Sequence, residues 1–446
     1  MPLPALEATT DSGNSETGLP ISLSAVWVGK GILAVLDQGL IAGSNFLVGV
    51  LLARWLAPEQ YGAYALAFSV FLLLFQLYHS FVLEPMSVFG GSEYRDCLRG
   101  YLGQLLWLHL GIVLLVFLAL GVSAGAARFV QSSDGLPGAL AGVTIAGPCF
   151  LLLWLARGAC YVRVAPKAAA GGAVLYCTAL LAGLSLLDQR GWLSPFTAFL
   201  LMGLSALITS VLLLAQLRRS LPEDQATPSL KSIWKRHWRY GRWALASSVA
   251  TWVPTNVCFL IVSALCGIAS AGELKALLNL ALPVGHTATA LSLLVQSYAA
   301  RINRQQGAAG IRSLTRQITG LLTAGAFLYW GGLVLFGSQV VRLLYAGNYG
   351  GIAALLPWLA LASILQVAIC GPAIALRAME SPASVFLAYL ASSTVAIAAG
   401  IPLTWKLGVR GVIVSMIFSN LLAVCAGFGL LRRKQGSGAA IPVWMS

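Results

Sequence analysis

Apolar runs about 20 residues long recur twelve times in this 446-residue chain, and no other feature restricts its fold so tightly. A helix needs about 20 apolar residues to cross the hydrocarbon core of a bilayer, where each backbone polar group must be satisfied within the segment itself. The runs lie at about 26–53, 62–83, 101–122, 139–160, 169–187 and 193–216, then 243–265, 273–298, 314–336, 352–375, 383–402 and 409–431. Hydrophobic residues make up 58% of the chain and charged residues 9%, too few to cover the surface of a soluble protein of this size. The expected fold class is all-α: a polytopic membrane protein of about 12 transmembrane helices in two six-helix pseudo-symmetric bundles around a central cleft.

The connections between runs are short and punctuated by Gly and Pro, as in "APEQYG", "SSDGLPG" and "YAGNYGG". The longest polar segment, "LRRSLPEDQATPSLKSIWKRHWRYGR" (217–242), divides six runs from six. The expected organisation is a cytoplasmic tail over 1–24, a six-helix bundle over 25–217, a basic cytoplasmic linker over 218–242, a second bundle over 243–431 and a tail over 432–446. With the N-terminus inside, 21 of the 28 Lys and Arg residues fall on the inner side. The other seven (Arg54, Arg128, Arg190, Lys275, Arg342, Lys406 and Arg410) fall outside. This bias supports the count and places both termini in the cytoplasm. It also accounts for the net charge of +14 without nucleic acid as a partner. Trp234 and Trp238 in the linker are expected to anchor it along the headgroups, with its basic residues on anionic membrane lipids.

The two halves carry a weak internal repeat. "SNFLVGVLLARWLAPEQYG" (44–62) and "TNVCFLIVSALCGIASAG" (255–272) each begin on a hydroxyl residue and Asn, cross an apolar stretch, turn, and close on Gly. Each occupies the first hairpin of its half, which implies two units of the same orientation related by an axis along the membrane normal. Polar residues within the runs mark the surface between those units. In the first helix these are Asp37, Ser44 and Asn45, and in the second Gln76, His79 and Glu84. The seventh carries Ser248, Thr251, Thr255 and Asn256, and the eighth His286, Thr289, Ser292 and Gln296. A charge at a helix centre costs about 2.5–3.5 kcal/mol on insertion scales, so Asp37 and Glu84 are expected to face a water-filled cleft. Asp37, as a lone carboxylate there, is expected to exchange a proton. The hydroxyls also fit a purely structural role in bonding neighbouring helices.

No chemistry of covalent catalysis is visible. "VGKGI" (28–32) lacks the spacing and hydroxyl of a nucleotide-binding loop, and His79, His109, His237 and His286 form no metal or triad pattern. The eight cysteines show no CxxC or Cys/His cluster and suit buried small apolar positions. The expectation is a non-enzyme without a cofactor, apart from a coupling proton or sodium ion.

"RWLAPEQYGAYALAFSVFLLL" resembles the first hairpin of the polysaccharide-transporter branch of the multidrug/oligosaccharidyl-lipid/polysaccharide exporter superfamily. "RYGRWALASSVATWVPTNVCFLIVSAL" is similar to that family's seventh helix, and "VVRLLYAGNYGGIAALLPWLALASIL" to its helix 9–10 connection. The resemblance covers about residues 20–434. It implies a flippase of the bacterial inner membrane that moves undecaprenyl-pyrophosphate-linked oligosaccharide by alternating access, for exopolysaccharide, capsule or O-antigen assembly. A polysaccharide polymerase or export machinery would be its partner. Family members often carry an acidic residue where this chain has Asn256. A pyrophosphate needs cations where it enters, and Arg157, Arg163, Lys167 and Arg377 lie at the inner ends of their helices. Arg holds phosphate in a fork that Lys cannot form. Plain topology decoration explains the same four residues. The rivals are an ion-coupled multidrug or cation exporter of the same superfamily, which Asp37 suits, and a non-transporting component of the glycan assembly machinery.

Overall fold

The computed structural model describes residues 21–129, 135–222, 227–379 and 381–436. The expected tails at 1–20 and 437–446 and the middle of the linker, 223–226, lie outside the described residues. The first half contains α1 (Ile21–Trp55), α2 (Pro58–Phe89), α3 (Leu98–Phe129), α4 (Leu136–Val162), α5 (Pro166–Gln189) and α6 (Pro195–Ser220). The second contains α7 (Leu230–Cys266), α8 (268–306), α9 (308–335), α10 (Gly350–Ala378), α11 (Pro382–Leu407) and α12 (Val409–Gly436). Ten of these helices are long and apolar enough, over their described residues, to cross a membrane. The other two, α7 and α8, include residues whose side chains lie outside the described set.

Local chemistry sets the boundaries. Pro58 opens α2 in its first turn, where a missing N–H costs nothing, so most of "APEQYG" is helix and only Leu56–Ala57 turn. Ser194 caps α6 through a reciprocal capping box with Thr197. Gly307, at φ +58°, breaks what is otherwise one continuous helical run into α8 and α9. The two fold back on each other, so that the Tyr329 hydroxyl donates to the Leu280 carbonyl at 2.8 Å.

The repeat is written in the packing. α1 packs on α5 and α7 on α11; α4 packs on α6 and α10 on α12; α5 packs on α6 and α11 on α12. Each pairing recurs after a shift of six helices. The halves meet chiefly through α2 against α7 and α8, with α1 against α8. Two ends of the bundle can be distinguished. The far end holds the α1–α2 and α7–α8 turns, and the basic end holds Arg163, Lys167, Arg218 and Arg219.

The linker differs from expectation. From Leu230 it is the beginning of α7, continuous with the apolar part of that helix, rather than a separate segment. Ile233 and His237 are fully buried against the first half, and the Trp234 and Trp238 rings meet the Phe81 ring edge-on. Aromatic packing, not anchoring alone, places these two tryptophans.

Candidate functional site

α2 carries an aromatic ladder. Tyr61, Tyr64, Phe68, Phe71, Phe75 and His79 follow at intervals of three and four residues, and successive rings lie 5.7–6.4 Å apart. That spacing stacks them along one helix face from the far end toward the basic end. At His79–Leu83 the helix makes one π-helical turn, which shifts the face that Glu84 presents.

The ladder forms one wall of a cavity inside the first half. Its inner part, about 80 Å³, is lined by Asn45 of α1, Phe68 and Phe75 of α2, Trp154 and Arg157 of α4, and Tyr176 of α5. A second pocket of about 340 Å³, between Gln38, His79, Glu84, Trp154, Arg157 and Tyr161, adjoins it toward the basic end. That volume falls within the range of small-ligand pockets, about 300–1,000 Å³.

Arg157 lines both pockets, and its side chain is 2% exposed. Its Nη2 donates to Asp37 Oδ2 at 2.6 Å, and the Tyr161 hydroxyl donates to the same oxygen at 2.5 Å. Arg157 and Tyr161 stand one turn apart on α4, so both reach one carboxylate on α1. Asp37 is therefore not the lone carboxylate expected from the sequence, because a fixed cation neutralises it. Both donors converge on one oxygen, and this leaves groups over. Asp37 Oδ1 and the Nε and Nη1 of Arg157 have no hydrogen-bond partner among the described residues. The guanidinium lies 4.7 Å from the centroid of the Trp154 ring, whose face favours a cation. The site thus combines aromatic walls with a desolvated guanidinium that has two donor groups free.

The other expected site residues divide. Asn45, His79 and Glu84 join Arg157 at the cavity, and Glu84 Oε1 accepts a hydrogen bond from Tyr240 of α7 at 2.9 Å. Arg163 does not join it: its guanidinium donates to the hydroxyl and, at 2.6 Å, to the carbonyl of Ser220, tying down the end of α6. Lys167 opens onto a separate groove between α5 and α6. Arg377 is exposed at the end of α10 in the second half. The expected four-cation clamp is not assembled, since its members sit on different helix ends and faces. Asn256 Nδ2 donates to the Trp252 carbonyl of its own helix, Gln296 to the Ile374 carbonyl, and His286 is exposed. None of these three lines the first-half cavity. The side chains of Thr251 and Thr255 lie outside the described residues.

Sequence reasoning passed over Tyr161, Trp154 and Tyr240. The first two were within reach: they lie four residues after and three before Arg157, at the spacings that share a helix face. Tyr240 carried no such signal, because its partner Glu84 is 156 positions away.

At the basic end, the first turns of α7 dock on this hairpin. The His237 Nδ1–H donates to the Phe81 carbonyl at 3.0 Å, and Nε2 accepts from the Tyr101 hydroxyl at 2.8 Å. Arg236 pairs with Glu93 at 2.9 Å on the surface. Ser80 and Ser248 hydrogen-bond deeper between α2 and α7.

The chain aligns over 91% of its length with an inward-facing multidrug-resistance MATE-family transporter of the MOP superfamily, at TM-score 0.73, 14% identity and 98% of that chain. The fold is that of MOP-superfamily transporters. A MOP transporter from Pyrococcus furiosus, whose binding pocket has reversed polarity suggesting a different function, aligns at TM-score 0.66 and 14% identity over 91% of this chain and 94% of that one. The lipid II flippase MurJ in an inward closed conformation aligns at TM-score 0.68 and 14% identity, over 91% of this chain and 87% of that one. No protein-family model and no curated protein sequence matches the chain. The likeness is one of fold: ten of the described helices are long and apolar enough to cross a membrane, and these neighbours are transporters and a flippase.

Proposed function

We propose that the protein is a flippase of the bacterial inner membrane that moves undecaprenyl-pyrophosphate-linked oligosaccharide units by alternating access, for exopolysaccharide, capsule or O-antigen assembly. One observation carries this reading: the unpaired Nε and Nη1 donors of the buried Arg157 guanidinium, set among aromatic rings between two adjoining pockets. The Nε–H and Nη1–H groups lie on either side of Cδ, so each offers a donor to a separate anionic oxygen, and low polarity around them strengthens such a pairing. Asp37, itself held by Tyr161, takes Nη2 and leaves Nε and Nη1 for the substrate. The basic end is the cytoplasmic end in this reading, as the distribution of Lys and Arg indicates. A fold neighbour that is itself a lipid II flippase supports a lipid-linked cargo.

The rival, a cation exporter, requires a carboxylate free to attract its substrate. Asp37 is already neutralised by Arg157, and Glu84 is engaged by Tyr240. The site favours an anion.

The test is accumulation of undecaprenyl-linked oligosaccharide on the cytoplasmic leaflet. Arg157→Lys keeps a charge for Asp37 but loses the separate Nε and Nη1 donors, and is expected to slow turnover; Arg157→Gln is expected to block it. Wild-type turnover in both variants, at equal protein level, overturns the reading.

A further inference from the structure

Lys275 takes no part in the site described above. By its place in the sequence it counted among the outer basic residues, at the mouth of the α7–α8 turn. In the structure it is half-buried on α8, and its ammonium lies 4.9 Å from the centroid of the Phe68 ring of α2. It has no ion-pair partner among the described residues. Glu273, two positions earlier, projects from a different helix face.

A lysine near a helix end ordinarily extends toward the headgroups. Lys275 reaches the other way. The two far-end turns lie level, because the start of α2 at Pro58 abuts Gly272 and the start of α8 at Ile268 abuts Gly62. Lys275 is seven residues into α8, about 10 Å deep, whereas Phe68 is ten residues into α2, about 15 Å deep. The ammonium is thus turned inward, onto a ring that lines the inner cavity with Arg157. A buried cation is costly unless it has a partner, and a ring face compensates only in part. The two cations are carried by opposite halves. They mark the two ends of one stretch of the aromatic ladder, from Phe75, beside Trp154 and Arg157, to Phe68.

We infer that Lys275 is a second anion-recognising position on the transport path, contributed by the second half, which receives the anionic headgroup of the cargo after Arg157. This rests on the anionic cargo proposed above. An anion drawn to Lys275 competes with the Phe68 ring for the ammonium. Arrival of the cargo therefore weakens a contact that holds α8 to α2, and the far end is freed to open.

The test uses the full chain in phosphatidylcholine nanodiscs and liposomes, with undecaprenyl pyrophosphate as probe and undecaprenol as the uncharged control. Lys275→Met is expected to bind the pyrophosphate lipid within about threefold of wild type but to transfer it across liposomes about tenfold more slowly or worse, the loss of one charge-assisted hydrogen bond. Lys275→Arg restores transfer. Lys275→Gln gives the same loss as Lys275→Met and serves where Lys275→Met does not fold. Wild-type transfer in Lys275→Met or Lys275→Gln, or a loss in Lys275→Arg equal to that in Lys275→Met, overturns the inference and reduces Lys275 to a tether between halves. If Arg157→Met also binds the pyrophosphate lipid like wild type, the anionic-cargo reading itself fails.

Discussion

Gly62 and Gly272 face each other across the far end of the bundle, each closing the repeated turn of its own half. A Cβ on Gly272 would lie 2.8 Å from the Pro58 carbonyl oxygen and 3.0 Å from the Gly62 amide nitrogen. A Cβ on Gly62 would overlap the Ile268 carbonyl oxygen. The contact is reciprocal: the start of α2 meets the glycine of α8, and the start of α8 meets the glycine of α2. That is the signature of a two-fold relation, in which the same patch is used on both sides. Around it, Asn279 donates to the Tyr61 hydroxyl at 2.8 Å, and Asn348 donates to the Arg54 carbonyl at 2.9 Å. The far end is sealed by backbone against backbone.

Gly62→Ala is therefore expected to weaken this seal. Extra volume in a packed contact costs about 1–3 kcal/mol, and here the neighbour is main chain that cannot rotate away. Gly272→Ala should act in the same direction, less severely. Thiol labelling of a cysteine placed at Ala63 should rise in both variants relative to the parent. Unchanged labelling would mean that the seal does not depend on the glycines.

Breaking the buried Asp37–Arg157 pair from either side leaves one charge unpaired inside the protein, at a cost of about 3–5 kcal/mol. Asp37→Asn and Arg157→Met should each lower the thermal stability of the purified protein. The double variant should recover most of it, because a neutral pair needs no compensation. Transport should stay lost in the double variant, since the guanidinium is gone. A double variant no more stable than either single would remove the pair from the account.

Burial disfavours the charged form of His237 and holds its pKa below the ordinary 6.5, with the Phe81 carbonyl opposing in part. A base whose pKa is lowered by docking contributes its full stabilisation above the undocked value. It loses that contribution as pH falls through the docked value. Docking of the first turns of α7 should hold at about pH 7.5 and loosen toward about pH 5. Hydrogen exchange over residues 230–242, corrected for intrinsic rates, should show the change, and His237→Gln should remove the pH dependence while loosening the segment throughout.

Orientation is open to direct measurement. Reporter fusions at Gly135 and Gly350 should report the periplasm, and fusions at Gly307 the cytoplasm. The opposite pattern would invert the direction of transport drawn from the basic end.

The twelve runs, the division after six and the repeated first hairpin were legible in sequence because each depends on local properties. Length and apolarity decide what can span, and a periodicity of three to four decides which residues share a face. The ladder from Tyr61 to His79 was legible on the same ground, and so was the pairing of Arg157 with Tyr161 on one face. The extent of α7 was not, because a charged start does not stop a helix that can bury Ile233 and His237 on a neighbour. Nor could sequence say which cation meets which carboxylate. Arg157, Arg163 and Lys167 lie within eleven residues on one helix end and turn, yet only Arg157 reaches Asp37, 120 positions away. Lys275 looked like an outer loop charge until the level of the two turns showed its ammonium directed inward. Charge pairing falls off over a few ångströms and depends on side-chain direction, so it is decided by how helices from distant parts of the chain are set side by side.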